Sequence, residues 1–402
     1  MDIKSARELL NRHGQPQLLD YYDGLSEEQR AQLLGAIDGI DFSVLENIAA
    51  AKKTVYNLSP ADVLSLEHIK EHSEEYSRIG IDAIKQGKVA AVLLAGGQGT
   101  RLGINAPKGT FNIGVYKTLS IFECQINNLL QVVKKAGVYP HMFVMTSTIN
   151  HKQTVDFFKE NAYFGYQADK IHFYVQKTAP AISEDGKILL EEKYMPVLTP
   201  NGNGGWYFSL RTSECGKILK ESGIEWLNVY GVDNVLQKIC DPVFIGATLK
   251  KGAACAGKVV KKTSPEEKVG VLCRDGNIPA VVEYYEMPEY DKTALAEDGQ
   301  LKYRYGVTLN YLFKVSELDK VRPEQLPYHL AEKQIEHIEG GEKVKSRGLK
   351  LETLAVDIIK LMGDCLGVEV EREKEFAPVK NATGTDSVDT ARALLVKNGI
   401  DL

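Results

Sequence analysis

The stretch KVAAVLLAGGQGTRLGINAPKGTFNIGVYK, residues 88–117, constrains the fold of this chain more than any other part of it. Residues 89–95 are all apolar and end at a glycine pair, which is the length and flanking pattern of a buried parallel strand. We therefore predict that this strand opens an α/β sheet.

The residues that follow this strand are suited to bind phosphate. Gly96, Gly97 and Gly99 allow the main chain to approach an anion and to direct N–H groups at it. Positive charge is supplied within the same stretch by Arg101, Lys108 and Lys117. The combination predicts a polyphosphate site, and the alternative is a tight turn between a strand and a helix with solvated cations around it.

Two common glycine motifs do not fit this stretch. The dinucleotide fingerprint G-x-G-x-x-G is missed because Gly103 comes one position too late. The P-loop needs G-K-[ST] at the start of a helix, whereas Lys108 stands between Pro107 and Gly109. The remaining pattern, G-G-x-G-T-R-L-G followed by P-K-G, resembles the active-site loop of nucleotidyltransferases that join a nucleoside triphosphate to a sugar 1-phosphate.

The composition is that of an ordinary soluble globular protein. With 49 basic and 54 acidic residues the net charge is −5, which argues against a general binder of nucleic acid or of membrane surfaces. No apolar run reaches the roughly 20 residues that span a bilayer, and the first residues lack a signal-peptide core, so we expect a cytoplasmic protein. The six cysteines form no C-x-x-C pair, so we expect reduced, buried thiols rather than a zinc site or a disulfide framework.

The first part of the chain, residues 1–75, is predicted to be an N-terminal helical segment. Ser26 and Gln29 match a capping box, and a second helix start is expected at Ser59-Pro60. These helices carry no recognisable chemistry, and we expect them to be scaffolding.

The catalytic domain is predicted to span residues 76–402. Strands are expected over 141–147, 171–176 and 225–230, alternating with helices over 118–133, 154–160, 206–220 and 241–250. This alternation predicts an α/β fold with a doubly wound, Rossmann-like sheet, and the ligand at the carboxyl ends of its strands. Short strands over about 254–315 predict an inserted antiparallel lobe that makes the whole sheet mixed.

Three polar or glycine positions fall at the ends of predicted strands. Gly97, Gln176 and Asp233 each follow such a strand, so we expect them to meet at one site. Asp233 is the best-placed carboxylate for a magnesium ion, which takes one or two protein carboxylates together with phosphate oxygens. The alternative role for Asp233 is to cap the helix that follows.

Two further segments have both a functional and a structural interpretation. Asn203, within the run NGNGG, offers a donor and acceptors to a base or a sugar, although the run also fits a plain loop. Glu283 is an acid within the apolar run VVEYY, where it would accept hydrogen bonds from sugar hydroxyls or, alternatively, face solvent from an alternating strand.

The motifs LAGGQGTRLG, PKG, GNGG, VYGVDN, DPVFIG, KVVKKTSPEEKVGVLCR, VVEYYE and FAPVKNATG occur in this order. Together they resemble the UDP-sugar pyrophosphorylase family, in particular its eukaryotic-type UDP-N-acetylglucosamine pyrophosphorylases. The resemblance runs from about residue 88 to the C-terminus. It implies that the lobe over about 254–315 binds the sugar and that a short C-terminal part, about 340–402, carries a phosphate-binding lysine.

The resemblance also implies roles for individual residues. Uridine would be held by the main chain of Ala95, Gly96 and Gly97 together with Gln176, Gly202 and Asn203. The phosphates would meet Arg101, Lys108 and Lys380, while Asp233 would hold Mg²⁺. Gly270 and Glu283 would lie around the sugar.

The chain departs from the family pattern at two places. The family has an asparagine in the sugar pocket where this chain has Val307, so the preferred hexose is open, because valine cannot replace the hydrogen bonds of an amide. The chain ends at Leu402, where eukaryotic relatives continue into a further C-terminal domain, so a compact form is expected.

The predicted function is therefore that of a magnesium-dependent uridylyltransferase. UTP and a hexose 1-phosphate, expected to be N-acetylglucosamine 1-phosphate, would give the UDP-sugar and pyrophosphate by in-line attack at the α-phosphorus. The alternative substrate is glucose 1-phosphate. A non-catalytic nucleotide-sugar binding protein is a further alternative, whereas a glycosyltransferase would normally need a D-x-D site that Val232-Asp233-Asn234 does not supply. The sequence identifies no protein partner.

Overall fold

The computed structural model of the chain describes residues 1–48 and 56–402. The α-helices of the described chain are α1 Ile3–Arg12, α2 Glu27–Asp38, α3 Ser43–Ile48, α4 Leu66–Glu71, α5 Ser73–Lys85, α6 Ile121–Ala136, α7 His151–Glu160, α8 Trp206–Thr212, α9 Glu214–Glu221, α10 Pro242–Lys251, α11 Glu289–Lys292, α12 Val315–Leu318, α13 Asp357–Met362, α14 Arg372–Glu375 and α15 Val388–Lys397. The strands are β1 Leu58–Pro60, β2 Val63–Leu64, β3 Val89–Leu94, β4 Met142–Thr146, β5 Ile171–Val175, β6 Thr178–Pro180, β7 Leu190–Glu192, β8 Met195–Pro196, β9 Leu198–Pro200, β10 Trp226–Gly231, β11 Cys255–Lys261, β12 Val271–Asp275, β13 Ile278–Val282, β14 Tyr305–Lys314, β15 His329–Glu339, β16 Glu342–Glu352 and β17 Leu366–Glu369.

The chain forms two compact units. Unit 1 comprises Met1–Val55, of which residues 1–48 are described, together with Lys177–Gly205 and Pro323–Ala355. Unit 2 comprises Tyr56–Gln176, Trp206–Arg322 and Val356–Leu402. The predicted domains, residues 1–75 and 76–402, are each one continuous stretch of the sequence. Each unit of the structure instead combines several separate segments. The assignment of the two predicted domains to scaffolding and to catalysis stays a prediction.

Unit 1 is built from the first three helices and three small antiparallel sheets. The long strands β15 and β16 form a hairpin, while β6 pairs with β9 and β7 pairs with β8. Its core contains Leu10 from α1, Leu33 and Ile37 from α2, and Ile182 and Leu351 from the other segments. The predicted capping box at the start of α2 is confirmed, because Ser26 and Gln29 bond reciprocally to each other's main-chain N–H groups.

Unit 2 is built around an 11-stranded mixed sheet. Its main path has the order β2-β17-β11-β14-β10-β3-β4-β5, and β1, β12 and β13 join it from the side. The strands on the main path run in one direction except β14, which is antiparallel to both of its neighbours. The sheet therefore confirms the predicted mixed α/β fold, and the antiparallel strands of the region 254–315 are continuous with the main sheet.

The strand over residues 89–95 is at the centre of this sheet, as its composition predicts. Every residue of β3 is buried, and so is every residue of β10 beside it. The helices α5, α6 and α10 cover these strands with apolar faces, and their side chains form one large core with the sheet. Ser120 caps α6, so this helix begins at Ile121, three residues later than predicted.

Three local predictions are wrong. Ser59-Pro60 does not start a helix but lies in β1, because its main chain pairs with β12, and the next helix follows the capping residue Ser65. The predicted helix over 206–220 is interrupted at Ser213, which caps α9. Glu283 lies just after β13 rather than within the strand.

None of the helices in the described part of the chain combines the length and the apolar character that crossing a bilayer requires.

Candidate active site

Hydrogen bonds from Asn150 and from the main chain of Lys108 fix the conformation of the glycine loop after β3. The Nδ2 atom of Asn150 donates to the carbonyl oxygens of Ala95 at 2.9 Å and of Gly97 at 3.3 Å. The Lys108 N–H also donates to the Gly97 oxygen, at 3.1 Å, which closes the loop. Gly97 is exposed, and no atom lies within 4 Å of the position that a Cβ would take there. Open space therefore faces the main chain at this glycine, as a phosphate cradle requires.

Gln176 lies against the same loop. Its main-chain N–H donates to the oxygen of Thr146 at the end of β4, which places it directly after β5. Its side chain is almost fully buried, and its Oε1 atom would lie 2.8 Å from a Cβ built on Gly96. The structure thus brings Gln176 and Gly96 into contact, and only glycine leaves room for the amide in this position.

Lys108 is the centre of a charged cluster at the carboxyl edge of the sheet. Burial lowers the pKa of its half-buried ammonium group, Asp233 raises this pKa, and the positive charges of Arg101 and Lys380 lower it further. Four residues predicted from distant parts of the sequence therefore act on one another electrostatically. Lys117, the third cation of the opening stretch, is exposed.

The chain that carries Asp233 is fixed by buried amide side chains. Gln125 on α6 donates to the carbonyl oxygens of Val232 at 3.2 Å and of Asn234 at 2.9 Å. Gln237 donates to the oxygen of Gly231 at 2.7 Å. The main chain on both sides of the carboxylate is held rigidly, although the Asp233 side chain itself is only half-buried.

The segment that carries Lys380 is bonded to the same loop. The Nδ2 atom of Asn234 donates to the oxygen of Glu375 at 2.7 Å, and its Oδ1 atom accepts from the N–H of Ala377 at 2.9 Å. The Val379 N–H donates to the oxygen of Asp233 at 2.8 Å. Lys380 is thereby held beside the loop, where its ammonium group also pairs with Asp386 at 3.0 Å.

Gly270, Glu283 and Val307 come together at the start of β14. A Cβ on Gly270 would lie 3.2 Å from Glu283 Oε1 and 3.4 Å from Val307 Cγ2. The Val307 N–H donates to the Gly270 oxygen at 2.9 Å. The two residues predicted around the sugar are therefore neighbours, and the position that departs from the family pattern lies beside them.

Gly202 and Asn203 belong to unit 1. A Cβ on Gly202 would lie 2.3 Å from the oxygen of Thr353, so close packing within the unit already requires a glycine there. The Oδ1 atom of Asn203 accepts from the N–H of Ala355 at 2.8 Å. The loop alternative for this run thus accounts for these contacts, and the role of the pair toward uridine stays a prediction.

The donor set at Asp233 fits a magnesium ion that arrives with a nucleotide. The described part of the chain contains no group of three or more histidine, cysteine or acidic side chains arranged around a metal position. One half-buried carboxylate in cationic surroundings, completed by phosphate oxygens, satisfies the oxygen preference of Mg²⁺.

Asn150, Gln125 and Gln237 hold the loops of the site but were not predicted from the sequence. Asn150 and Gln125 lie far from their partners along the chain, whereas Gln237 lies six residues from Gly231, and an isolated amide has no periodic pattern that marks it as a support. The arrangement as a whole presents free main chain, three cations and one carboxylate at a single edge of the sheet, which suits it to bind and polarise a polyphosphate.

Comparison with known proteins agrees with this geometry. Residues 45–398 match the protein family described as UTP–glucose-1-phosphate uridylyltransferase. The chain is 36% identical to UDP-N-acetylglucosamine diphosphorylase 2 of Arabidopsis thaliana, over 97% of this chain and 82% of the relative. It is 34% identical to the UDP-N-acetylglucosamine pyrophosphorylase of Saccharomyces cerevisiae, over 99% of this chain and 90% of the relative.

A solved structure extends the likeness to the fold. The crystal structure of the uridine diphosphate N-acetylglucosamine pyrophosphorylase of Trypanosoma brucei in complex with an inhibitor has a TM-score of 0.83 at 27% identity, over 98% of this chain and 84% of that one. The resemblance found in the sequence motifs is thereby confirmed. The chain belongs to the UTP–glucose-1-phosphate uridylyltransferase family, and it is an enzyme of the nucleotidyltransferase class.

Proposed function

We propose that this enzyme converts UTP and N-acetylglucosamine 1-phosphate to UDP-N-acetylglucosamine and pyrophosphate, with the help of Mg²⁺. The observation that carries the proposal is the cluster around Lys108, in which the charges of Arg101, Lys380 and Asp233 act on one ammonium group beside an open glycine loop. Several cations next to accessible main chain suit a substrate that carries several negative charges.

The chemistry needs positive charge more than it needs a base. A sugar 1-phosphate has a second pKa of about 6, so at neutral pH it is already largely the dianion that attacks the α-phosphorus. The obstacle is the repulsion between two polyanions and the charge that develops on the departing pyrophosphate. Arg101, Lys108 and Lys380 would neutralise this charge, and the main chain at Gly96 and Gly97 would orient the phosphates.

Asp233 is the residue that would hold the metal ion. When bound, Mg²⁺ would supply a further positive charge that stabilises the negative charge of the phosphate groups. The main chain on either side of Asp233 is fixed by amides, so this chain would present the carboxylate without rearrangement.

The main chain of Ala95 and the side chain of Gln176 are proposed to hold the uracil part of UTP, and the contact between Gln176 and Gly96 supports this. The assignment of Gly202 and Asn203 to uridine rests on the resemblance alone.

The sugar is proposed to lie beside Gly270 and Glu283. Their contact supports this reading, and so do the names of two relatives, each of which contains UDP-N-acetylglucosamine. The alternative substrate is glucose 1-phosphate, because Val307 offers no hydrogen bond to an acetamido group.

We also propose a cytoplasmic location, since all six cysteines are buried thiols that form no disulfide. No protein partner is proposed.

A pyrophosphate-release assay tests the function. UTP and Mg²⁺ are combined with the 1-phosphates of N-acetylglucosamine, N-acetylgalactosamine, glucose and galactose, and kcat/KM is compared. We expect the highest value for N-acetylglucosamine 1-phosphate. A preference for glucose 1-phosphate would establish the alternative, and calorimetric UTP binding without turnover on any sugar phosphate would indicate a non-catalytic binding protein.

Lys108→Ala and Lys134→Ala form a matched pair for this assay. Lys134 is an exposed lysine in the last turn of α6 and is not among the charges that act on Lys108. We expect Lys108→Ala to lower kcat by about 100-fold, as removal of one charge-stabilising group commonly does, and Lys134→Ala to leave it unchanged. Equal activity of the two variants would remove Lys108 from the mechanism.

A further inference from the structure

A fully buried lysine lies next to the candidate active site within unit 2. The side chain of Lys258 on β11 is 1% exposed, and its Nζ atom lies 2.9 Å from Asp241 Oδ2 and 2.5 Å from Glu375 Oε2. It also donates to the carbonyl oxygen of Lys238 at 3.3 Å. The ammonium group of Lys238 pairs with the other carboxylate oxygen of Glu375 at 3.1 Å. One buried cation thus joins β11, the loop before α10, and α14.

The charges of this cluster are balanced. Burial alone lowers the pKa of a lysine, but the carboxylates of Asp241 and Glu375 outweigh this effect and raise the pKa of Lys258. Burial likewise raises the pKa of Asp241, and the two lysines outweigh it, so the pKa of this carboxyl group is lowered. The lysine and the carboxylate therefore both stay charged at neutral pH.

Stability does not account for a buried ion cluster of this kind. Apolar side chains of similar volume often stabilise an interior as well or better, because ions lose their hydration on burial. What the cluster adds is a fixed geometry, since ammonium and carboxylate groups must meet at defined distances and angles. The position of the cluster therefore indicates which segments of the chain it holds in place.

The two segments joined by Lys258 lead directly to proposed active-site residues. Asp241 ends the loop that begins with Asp233, and Glu375 immediately precedes the segment that carries Lys380. Asn234 already bonds this loop to residues 375 and 377 through both atoms of its amide. Lys258 closes the arrangement from the other side, so that the loop and the segment are held at two separate places.

We propose that Lys258 is a positioning residue, which fixes the loop of Asp233 and the segment of Lys380 relative to each other by binding Asp241 and Glu375. Lys258 does not touch the substrate. Its effect on the reaction passes through Lys380, whose ammonium group must lie where the phosphates of UTP require it. This inference rests on the proposed function and adds to it a residue that fixes the relative position of Asp233 and Lys380.

A double-mutant cycle tests the inference. Lys258→Met and Lys380→Ala are made singly and together, and kcat, KM and the free energy of unfolding are measured for each. We expect Lys258→Met to lower kcat by about 10- to 100-fold, as displacement of a reacting group does, with KM for UTP changed less than about threefold. In the Lys380→Ala background the same substitution should change kcat by less than about twofold. Multiplicative effects of the two substitutions would overturn the proposal.

A charge-balanced variant keeps the test decisive if Lys258→Met does not fold. Lys258→Met/Glu375→Leu removes one cation and one anion together, so the net charge of the cluster is kept, and Asp241 retains the nearby charge of Lys238 and its hydrogen bond from the Val243 N–H. We expect it to fold and still to have a reduced kcat, because Glu375 no longer anchors the segment of Lys380. Wild-type kcat in this folded variant would show that the cluster is only structural.

Two further variants complete the experiment. Lys258→Arg keeps a cation that can bridge two carboxylates and should recover part of the lost kcat. Lys261→Met, on the same strand but about half-exposed, serves as the matched control and should be unaffected. If the wild-type protein releases no pyrophosphate with any sugar phosphate, the proposed function fails, and the same cycle is then measured on UTP affinity by calorimetry. There, additive changes in binding free energy would overturn the proposal, and non-additive changes would support it.

Discussion

Replacing Gly97 by valine separates nucleotide binding from folding. Gly97 is exposed, its φ is not positive, and no atom lies within 4 Å of the position of a Cβ. The free protein therefore accommodates the added carbons without a clash, and we expect the free energy of unfolding to change by no more than about 0.5 kcal/mol, as for ordinary surface substitutions.

The same carbons occupy the space through which a phosphate would reach the main chain. A hydrogen bond from an N–H group to a charged partner contributes roughly 1.5–3 kcal/mol. Loss of one such bond therefore weakens UTP binding by about 10- to 100-fold, since each 1.4 kcal/mol is a factor of about ten. Loss of a second bond would increase the effect further.

The measurement is calorimetric titration with UTP and Mg²⁺, accompanied by urea unfolding of the same samples. Gly24→Val is the control, because Gly24 also has open space around the position of a Cβ and lies in unit 1, outside the glycine loop. If Gly97→Val binds UTP within about twofold of the wild-type affinity while remaining folded, the glycine loop is not the phosphate cradle. If it unfolds while Gly24→Val does not, the structural argument for open space is refuted.

Other consequences of the structure are equally measurable. Burial and the neighbouring cations lower the pKa of Lys108, so kcat/KM for UTP should fall at alkaline pH with a midpoint below the ordinary lysine pKa of 10.5. Lys108→Arg should abolish this alkaline decrease, because arginine stays charged. An unchanged decrease in Lys108→Arg would assign it to another group. Val307→Asn should raise kcat/KM for N-acetylglucosamine 1-phosphate relative to glucose 1-phosphate by about 2- to 10-fold, the effect of one hydrogen bond, and an unchanged ratio would place the acetamido group elsewhere. Burial, with the charges of Lys170 and His172, lowers the pKa of His141 from 6.5 to about 4. Between these two pH values, His141 is therefore protonated in the unfolded chain and neutral in the folded chain. Stability should therefore fall as the pH drops from 6.5 towards 4, and urea unfolding of His141→Gln should show a smaller fall; equal slopes would contradict the argument. Chelation of Mg²⁺ should abolish pyrophosphate release, and full activity in chelator would exclude the metal from the reaction.

The core of the fold and the cluster at its edge could be predicted because their sequence features are local. The apolar run of β3 and the glycines after it are contiguous, and the alternation of strands and helices places Gln176 and Asp233 at the same edge. Lys380 could be predicted only through the family resemblance, since neither spacing nor periodicity marks it. The same holds for Gly270, whose neighbours Glu283 and Val307 lie more than ten residues away in the chain.

What could not be predicted depends on contacts between distant segments. Ser59-Pro60 has the composition of a helix start, but pairing with β12 decides its conformation. Asn150 and Lys258 have side-chain partners that no local pattern indicates. Gly202 illustrates a different limit, because a glycine that a ligand requires and a glycine that packing requires look alike in the sequence.

The reversed direction of strand β14 has a consequence for which part of the chain sets the preferred sugar 1-phosphate in the proposed reaction. The seven other strands on the main path of the sheet end at the edge where Lys108 and Asp233 lie, but β14 starts there, with Val307 among its first residues. In the proposed assignment, the hexose therefore lies at the start of one strand and the uridylyl group lies at the ends of others. Under the same assignment, we expect substitutions near the start of β14 to change the preferred sugar 1-phosphate and to leave the binding of UTP unchanged.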